Sequence, residues 1–282
     1  MSPASAQHRF LGGCLLLLLL GSGAAEGALL GREGPIDAFA PEAMMGEAPS
    51  NEVSVGPWQA FLDQYLVTDD PSGIHRVRYA AVSEDDLAAL DAWLEQSQAK
   101  GPTGLSRDAQ MAYWINLYNA LTVRLILSHP DVESIREIKA GLFSIGPWSM
   151  PLARVEGRDL SLDDIEHRIL RPLFKDPRIH FAVNCASLGC PNLSAEAFRA
   201  DTLDAQLDAG TRAYLTHPRG LRLENGRLRL SSIFDWYRED FPEGRPAFMA
   251  WLADYAPASV AARVRTYSGR ITHDYDWTLN AP

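Results

Sequence analysis

Cysteine is scarce in this chain, with three residues among 282. Cys14 lies in an N-terminal apolar run, which leaves Cys185 and Cys190 for the rest. A disulfide scaffold, which needs several bridges in place of a core, is excluded. Basic charge is also short: 26 Lys+Arg stand against 36 Asp+Glu, a net charge of −10. No basic block or tail interrupts this balance. Nucleic acid and anionic lipid need clustered positive charge, so neither is expected as a partner. No apolar run is long enough for a comfortable membrane span of about 20 residues. Internal repeats and low-complexity tracts are absent too. What remains is a stretch of roughly 230 residues with globular patterning, enough to bury a sizeable core.

The N-terminus sets an expectation about compartment. His8 and Arg9 precede an apolar run, Phe10 to Leu20, followed by small residues from Gly21 to Ala25. Weak positive charge, a short apolar core and a small-residue exit describe a secretory signal peptide over 1–25, with a retained anchor as the alternative. Cys14 precedes most of the apolar run, whereas a lipidated cysteine follows it. The expected location is therefore outside the cytoplasm: periplasmic in a Gram-negative bacterium, secreted otherwise, with no transmembrane domain after cleavage. Removing 1–25 leaves 25 basic against 36 acidic side chains, a net charge of −11. Residues 26–50, rich in Gly, Pro and Ala, read as a linker or loose arm. A globular domain is expected over 51–282.

Within that domain, Trp58, Phe61, Leu62 and Tyr65 recur at helical spacing. Val77 to Val82 reads as a short strand. Ser83 and Asp86 form a capping-box pattern ahead of a helix striped by Leu87, Leu90 and Leu94. Ser106 or Asp108 opens the most hydrophobic helix, which runs from about Met111 to Leu127 and ends at Ser128-His129-Pro130. Its apolar residues lie nearly all round, so it belongs at the centre of the core. Asn116 and Asn119 share a face of it and need partners. Gly157 marks a tight turn. Ser161 caps a helix with acids in its first turn and Leu162, Ile165 and Ile169 facing the core. Ile179 to Val183 reads as a strand. Ser194 and Asp201 are expected to open helices. Asn225-Gly226, between alternating leucines and charges, predicts a type I′ hairpin over Leu221 to Leu230. Helices are expected over Ile233 to Phe241 and Ala247 to Tyr255. The mixture predicts an α+β fold, with helices packed on a small antiparallel sheet in a single main domain.

Chemistry concentrates in Asp176-Pro-Arg-Ile-His-Phe-Ala-Val-Asn-Cys-Ala-Ser-Leu-Gly-Cys-Pro191, which holds both remaining cysteines. A small-residue loop from Cys185 to Pro191 would follow the expected strand. A cysteine nucleophile needs a base or cation to hold its thiolate. His180 and His167 are the candidates, with Asn184 or Asn119 placed to orient an imidazole or polarise a carbonyl. Strand parity would put His180 and Cys185 on opposite faces, so His180 reaches Cys185 only where the strand breaks near Asn184. The rival reading is a disulfide closing a six-residue loop in an oxidising compartment. A metal site is the weakest reading, because Cys-x4-Cys is an uncommon zinc spacing and no paired histidine motif accompanies it. No cofactor is expected.

Four separated motifs, Trp114-Ile-Asn-Leu-Tyr-Asn119, Leu160-Ser-Leu-Asp-Asp-Ile-Glu-His167 with Leu170-Arg171, Asp176 to Pro191, and Tyr275-Asp-Trp-Thr-Leu-Asn280, occur in order. Together they resemble the domain of unknown function 547 family. The resemblance implies that Asn116, Asn119, Glu166, His167, His180, Asn184, Cys185, Cys190 and Pro191 occupy motif positions, and it implies no activity. A more distant likeness is to papain-like and transglutaminase-like thiol enzymes, but the helix position of a nucleophilic cysteine carries Asn116 or Asn119 here. Two functions follow as expectations. One is a thiol-dependent hydrolase or acyl transferase using Cys185 with a histidine, supported by His167, His180, Glu166, Asn184 and Asn119. The other is a non-catalytic binding or assembly domain with a Cys185–Cys190 disulfide, facing a small-molecule, peptide or envelope partner.

Overall fold

The computed structural model describes residues 33–41, 54–141, 144 and 146–282. The expected signal peptide lies outside them. Within the expected 26–50 arm, residues 33–41 are docked on the domain. Phe39 is fully buried, edge-on to Trp114 at 5.0 Å between ring centroids. Ile36 N–H donates to the carbonyl of Arg168.

Helix α1, Gly56–Tyr65, starts with a proline in its first turn and buries Trp58, Phe61, Leu62 and Tyr65, the stripe that its spacing predicts. It runs into β1, Leu66–Val67, which pairs antiparallel with β2, Arg76–Val77. The strand expected over Val77 to Val82 is thus cut to its first residue, and Tyr79–Ala81 forms a 3-10 turn. Helix α2, Glu84–Lys100, is capped by Ser83 Oγ, which accepts from Asp86 N–H. Helix α3, Arg107–Leu127, is capped in the same way by Ser106 and is buried on almost every face. Around it cluster α1, α2 and the hairpin of β3, Ala153–Val155, and β4, Arg158–Leu160. Glu156 and Gly157 turn that hairpin, both with positive φ.

Asp164–Phe174 completes this first core as a π-helix, in which backbone bonds run from i to i+5. It contains Pro172 and ends at Lys175 in the left-handed conformation. The expected strand over Ile179 to Val183 is instead a 3-10 turn, Pro177–Phe181. Two local forces explain the difference. Pro177 fixes its own φ and removes a ladder donor, and the Asp176 carboxylate accepts from Arg178 N–H at 2.9 Å, closing a turn. The parity argument that separated His180 from Cys185 falls with the strand.

A second core follows. Helix α4, Leu203–Thr216, begins after Thr202, and no helix opens at Ser194. Strands β5, Leu221–Glu224, and β6, Arg227–Ser231, form the expected hairpin, with Asn225 and Gly226 both at positive φ as a type I′ turn requires. The helix expected over Ile233 to Phe241 is a single turn, α5, Ile233–Trp236, then a 3-10 turn, Arg238–Asp240. Helix α6, Arg245–Tyr255, packs on α4, and α7, Ala258–Arg265, packs on α6. Strand β7, Ile271–Asp274, pairs with β6 in parallel, so this three-stranded sheet is mixed where a purely antiparallel one is expected. The fold is α+β, with residues 33–282 forming one compact unit around central α3. Among the described residues no helix is long and apolar enough to cross a membrane.

Candidate functional site

The site starts from two amides of α3. Asn116 makes a reciprocal pair with the backbone of Phe198: its Nδ2 donates to the carbonyl at 2.8 Å and its Oδ1 accepts from the N–H at 2.9 Å. Asn119 does the same with the chain entering the cysteine loop. Its Nδ2 donates to the Ala182 carbonyl at 2.9 Å, and its Oδ1 accepts from Asn184 N–H at 2.8 Å. Both side chains are buried and act as pins that replace backbone pairing. Asn184 then closes the loop from inside. Its Nδ2 donates to the Pro191 carbonyl at 2.7 Å, and its Oδ1 accepts from Ala186 N–H at 2.8 Å.

The loop itself carries the disulfide Cys185–Cys190, with Cα atoms 6.3 Å apart. Cys185 is partly exposed and Cys190 is buried. Around the sulfurs stand Tyr275 Oη, 3.0 Å from Cys190 Sγ and 3.2 Å from Cys185 Sγ, and Ser187 Oγ, 3.4 Å from Cys190 Sγ. Cys185 N–H also donates to Cys190 Sγ at 3.0 Å. The segment 275–280 lies alongside, bonded through Leu188 N–H to Thr278 O and Gly189 N–H to Asp276 O. Gly189 must be glycine for this approach, because a Cβ there would stand 2.7 Å from Asp276 N. Arg219 reaches the loop from beyond α4, and its Nη1 donates to the Leu188 carbonyl at 3.1 Å.

The histidines belong to a neighbouring cluster on the π-helix. His180 Nε2 lies 2.6 Å from Asp240 Oδ2, and His180 Nδ1 lies 4.0 Å from Glu166 Oε1. Tyr237 stacks on the imidazole at 4.3 Å. Arg171 bonds Asp240 through Nε at 2.5 Å and Glu239 through Nη2 at 2.9 Å, and lies over the Tyr237 ring. Glu166, His167 and Arg171, all on this helix, serve one cluster. His167 Nδ1 is 3.9 Å from Glu166 Oε1 and 3.2 Å from Arg171 Nη1. Tyr118 Oη donates to Glu166 Oε2 at 3.1 Å.

Charge in this cluster is matched from within. Burial pushes the Glu166 carboxyl up, but His167, His180, Arg171 and the Tyr118 bond outweigh it and hold it below the usual range. Burial likewise opposes ionisation of Asp240, and the bonds from His180 and Arg171 overcome it and hold its pKa at about 2. Burial, reinforced by Glu166, pushes the hydroxyls of Tyr118 and Tyr237 well above the phenol range, so both remain donors. Imidazole between two carboxylates is an arrangement that can hold or pass a proton. Here Tyr237 covers its face and His180 is 2% exposed. Among the described residues no group of three or more His, Cys, Asp or Glu side chains is arranged to hold a metal ion.

The structure thus brings Glu166, His167 and His180 into one cluster, and Asn119 and Asn184 into direct contact. Cys185 is bonded to Cys190 and bordered by Tyr275 and Ser187. Sequence reasoning missed Asp240, Tyr237, Tyr118, Arg171, Tyr275 and Arg219 as site residues. Tyr118, Arg171 and Tyr275 lay inside quoted motifs, which was the available signal. Asp240 and Arg219 carried none.

These features define an α+β domain whose central helix pins a disulfide-closed loop by side-chain amides. Residues 102–215 match the family model described as "Protein of unknown function, DUF547", which supports the resemblance read from the motifs over that stretch. The Tyr275–Asn280 motif lies outside the match, yet it pairs with the loop inside it. No curated protein and no solved structure matches the chain.

Proposed function

We propose that this chain is a non-catalytic, exported binding or assembly domain, with its ligand contacts on the surface where the Cys185–Cys190 loop meets the 275–280 segment. The disulfide carries the reading, because both sulfurs that a thiol hydrolase would draw on are bonded to each other. The polar cluster supports it: His180 and Glu166 are buried, with His180 bonded to Asp240, Glu166 accepting from Tyr118, and the two facing one another. A disulfide in a chain this poor in cysteine also suits an oxidising compartment, the destination expected from the N-terminal run. A groove of about 410 Å³ lies beside the tail, with Tyr275 and Trp277 offering ring faces and Glu133, Glu137 and Asp276 offering carboxylates. Ring faces flanked by carboxylates suit a ligand with an apolar face and cationic or hydroxyl groups.

The test is a thiol count on unreduced native protein, followed by peptide mapping. The expected result is a linked Cys185–Cys190 peptide and no iodoacetamide adduct on either cysteine. Rapid alkylation of Cys185 without reductant, with a pH midpoint below the ordinary thiol value of about 8.5, would overturn the reading in favour of a thiol-dependent hydrolase or acyl transferase.

A further inference from the structure

We propose that the Cys185–Cys190 disulfide is redox-active: it exchanges with an external dithiol and takes two electrons from it while the protein stays folded. This goes beyond the binding-domain reading and shares with it only the presence of the bond.

The two sulfurs are unequal. Cys185 is partly exposed, whereas Cys190 is 2% exposed. Donors border both sulfurs and stand closest to the buried one: Tyr275 Oη and Ser187 Oγ lie 3.2 Å and 3.5 Å from Cys185 Sγ. Cys185 N–H and Tyr275 Oη each lie 3.0 Å from Cys190 Sγ. Ser187 Oγ stands 3.4 Å from that sulfur and 3.2 Å from Tyr275 Oη, so its proton serves one or the other. A disulfide sulfur is a weak acceptor and gains little from such donors. A thiolate gains far more, since bonds to ionised groups are about twice as strong as neutral ones. The donors are therefore arranged for a charge that exists only once the bond has opened. Burial keeps the Tyr275 hydroxyl well above the phenol range, so it remains a donor.

Arg219 adds positive charge to the same loop. It holds the Leu188 carbonyl, makes no ion pair with a carboxylate among the described residues, and its buried Nε has no hydrogen-bond partner. Bonds other than the sulfur bond also hold the loop. Asn184 ties Ala186 to Pro191, and Leu188 and Gly189 are bonded to the 276–278 backbone.

The step balances as follows. A donor thiolate attacks the accessible Cys185 Sγ. A donor–Cys185 disulfide forms, the Cys185–Cys190 bond breaks, and its electron pair stays on Cys190, where the two donors meet it. The donor's second thiol, once deprotonated, attacks the mixed disulfide, closes the donor's own disulfide and releases Cys185. The protons lost by the donor end on the two cysteines. Departure is faster for a leaving thiol of lower pKa, which the donors to Cys190 provide.

The experiment treats full-length protein with dithiothreitol at neutral pH, quenches with N-ethylmaleimide, and follows labelling of the 185–190 peptide by mass spectrometry beside circular dichroism. Both cysteines should become labelled while the dichroism is unchanged. Tyr275→Phe should slow reduction about tenfold, the equivalent of one hydrogen bond of about 1.4 kcal/mol, and should raise the titration midpoint of Cys190 in reduced protein. Ser187→Ala, a smaller change, should move both readouts in the same direction. A bond that resists dithiothreitol until the protein unfolds would overturn the proposal, as would wild-type rates and midpoints in both variants. Either result would leave the binding-domain reading standing, which fails only if Cys185 is alkylated before any reductant is added.

Discussion

Asn119 on α3 and Asn184 at the mouth of the cysteine loop are joined side chain to backbone, Oδ1 to N–H at 2.8 Å, deep in the protein. The same Asn119 amide holds Ala182 O at 2.9 Å. One side chain thus fixes the chain entering the loop to the central helix by two bonds. Asn119→Ala leaves a buried carbonyl and a buried N–H without partners. Stability should fall by about 1–3 kcal/mol, read from urea unfolding. A midpoint equal to wild type would show that water takes over both bonds.

Asp240 gives the fold a pH dependence of known sign. Its pKa falls from 3.8 to about 2 on folding, so the folded state favours its ionised form. The stability it adds is fully present above its unfolded pKa and is lost as pH drops through the interval from about 4 to about 2. The amount is about 2 kcal/mol. Asp240→Asn should lower stability at neutral pH and flatten the acid limb in that interval. An acid limb unchanged in slope would assign the acid sensitivity to other carboxylates.

Arg171 is the cation on which Asp240, Glu239 and Glu166 converge, and its side chain is 6% exposed. Replacing it with Met keeps the length and removes the charge, leaving Glu166 and Asp240 to His167 and His180. The expected cost is about 3–5 kcal/mol, as for other broken buried pairs. Thermal unfolding decides the matter, and a loss below about 1 kcal/mol would mean that the histidines suffice.

Gly189→Ala should separate the loop from the 275–280 segment. The added methyl would meet Asp276 N at 2.7 Å and Asp276 O at 2.8 Å, both of them backbone and unable to swing aside. Overpacking of this kind costs about 1–3 kcal/mol. Amide exchange at Leu188 and Gly189 should accelerate, because their acceptors lie on the displaced segment. Unchanged protection there would show that the tail docks independently of the glycine.

Removing the bridge by a joint Cys185→Ala and Cys190→Ala change should cost about 2 kcal/mol, the entropic value for so short a loop. Calorimetry should find a single transition at lower temperature.

The parts of this fold that could be read from sequence are those whose cause is local. Ser83 with Asp86, Ser106 at the start of α3 and Asn225-Gly226 each act within a few residues, and each appears as expected. Ile179 to Val183 misled because a mostly apolar run with β-branched ends suggests a strand, while Asp176 and Pro177 just upstream impose a turn. The π winding of 164–174 left no trace in the pattern, because Leu162, Ile165 and Ile169 satisfy an α-helical stripe equally well. Asp240 and Tyr275 reach the site across 60 and 90 positions of chain, and no local periodicity encodes contacts at that range.

The 275–280 segment binds three places made far earlier. Asn280 O accepts from Val77 N–H, Leu279 N–H donates to Glu133 O, and Asn280 N–H donates to Ala186 O. Tyr79 Oη bonds Asn280 Oδ1 across 201 positions of chain. On a ribosome these partners emerge long before residue 280 exists. The edge of β2, the turn at Glu133 and the cysteine loop must stay uncovered through most of synthesis. Final closure then brings together points separated by most of the chain, which is entropically the slowest kind of contact to make. The cysteine loop of this chain therefore gains its last backbone partners only when the final residues are in place.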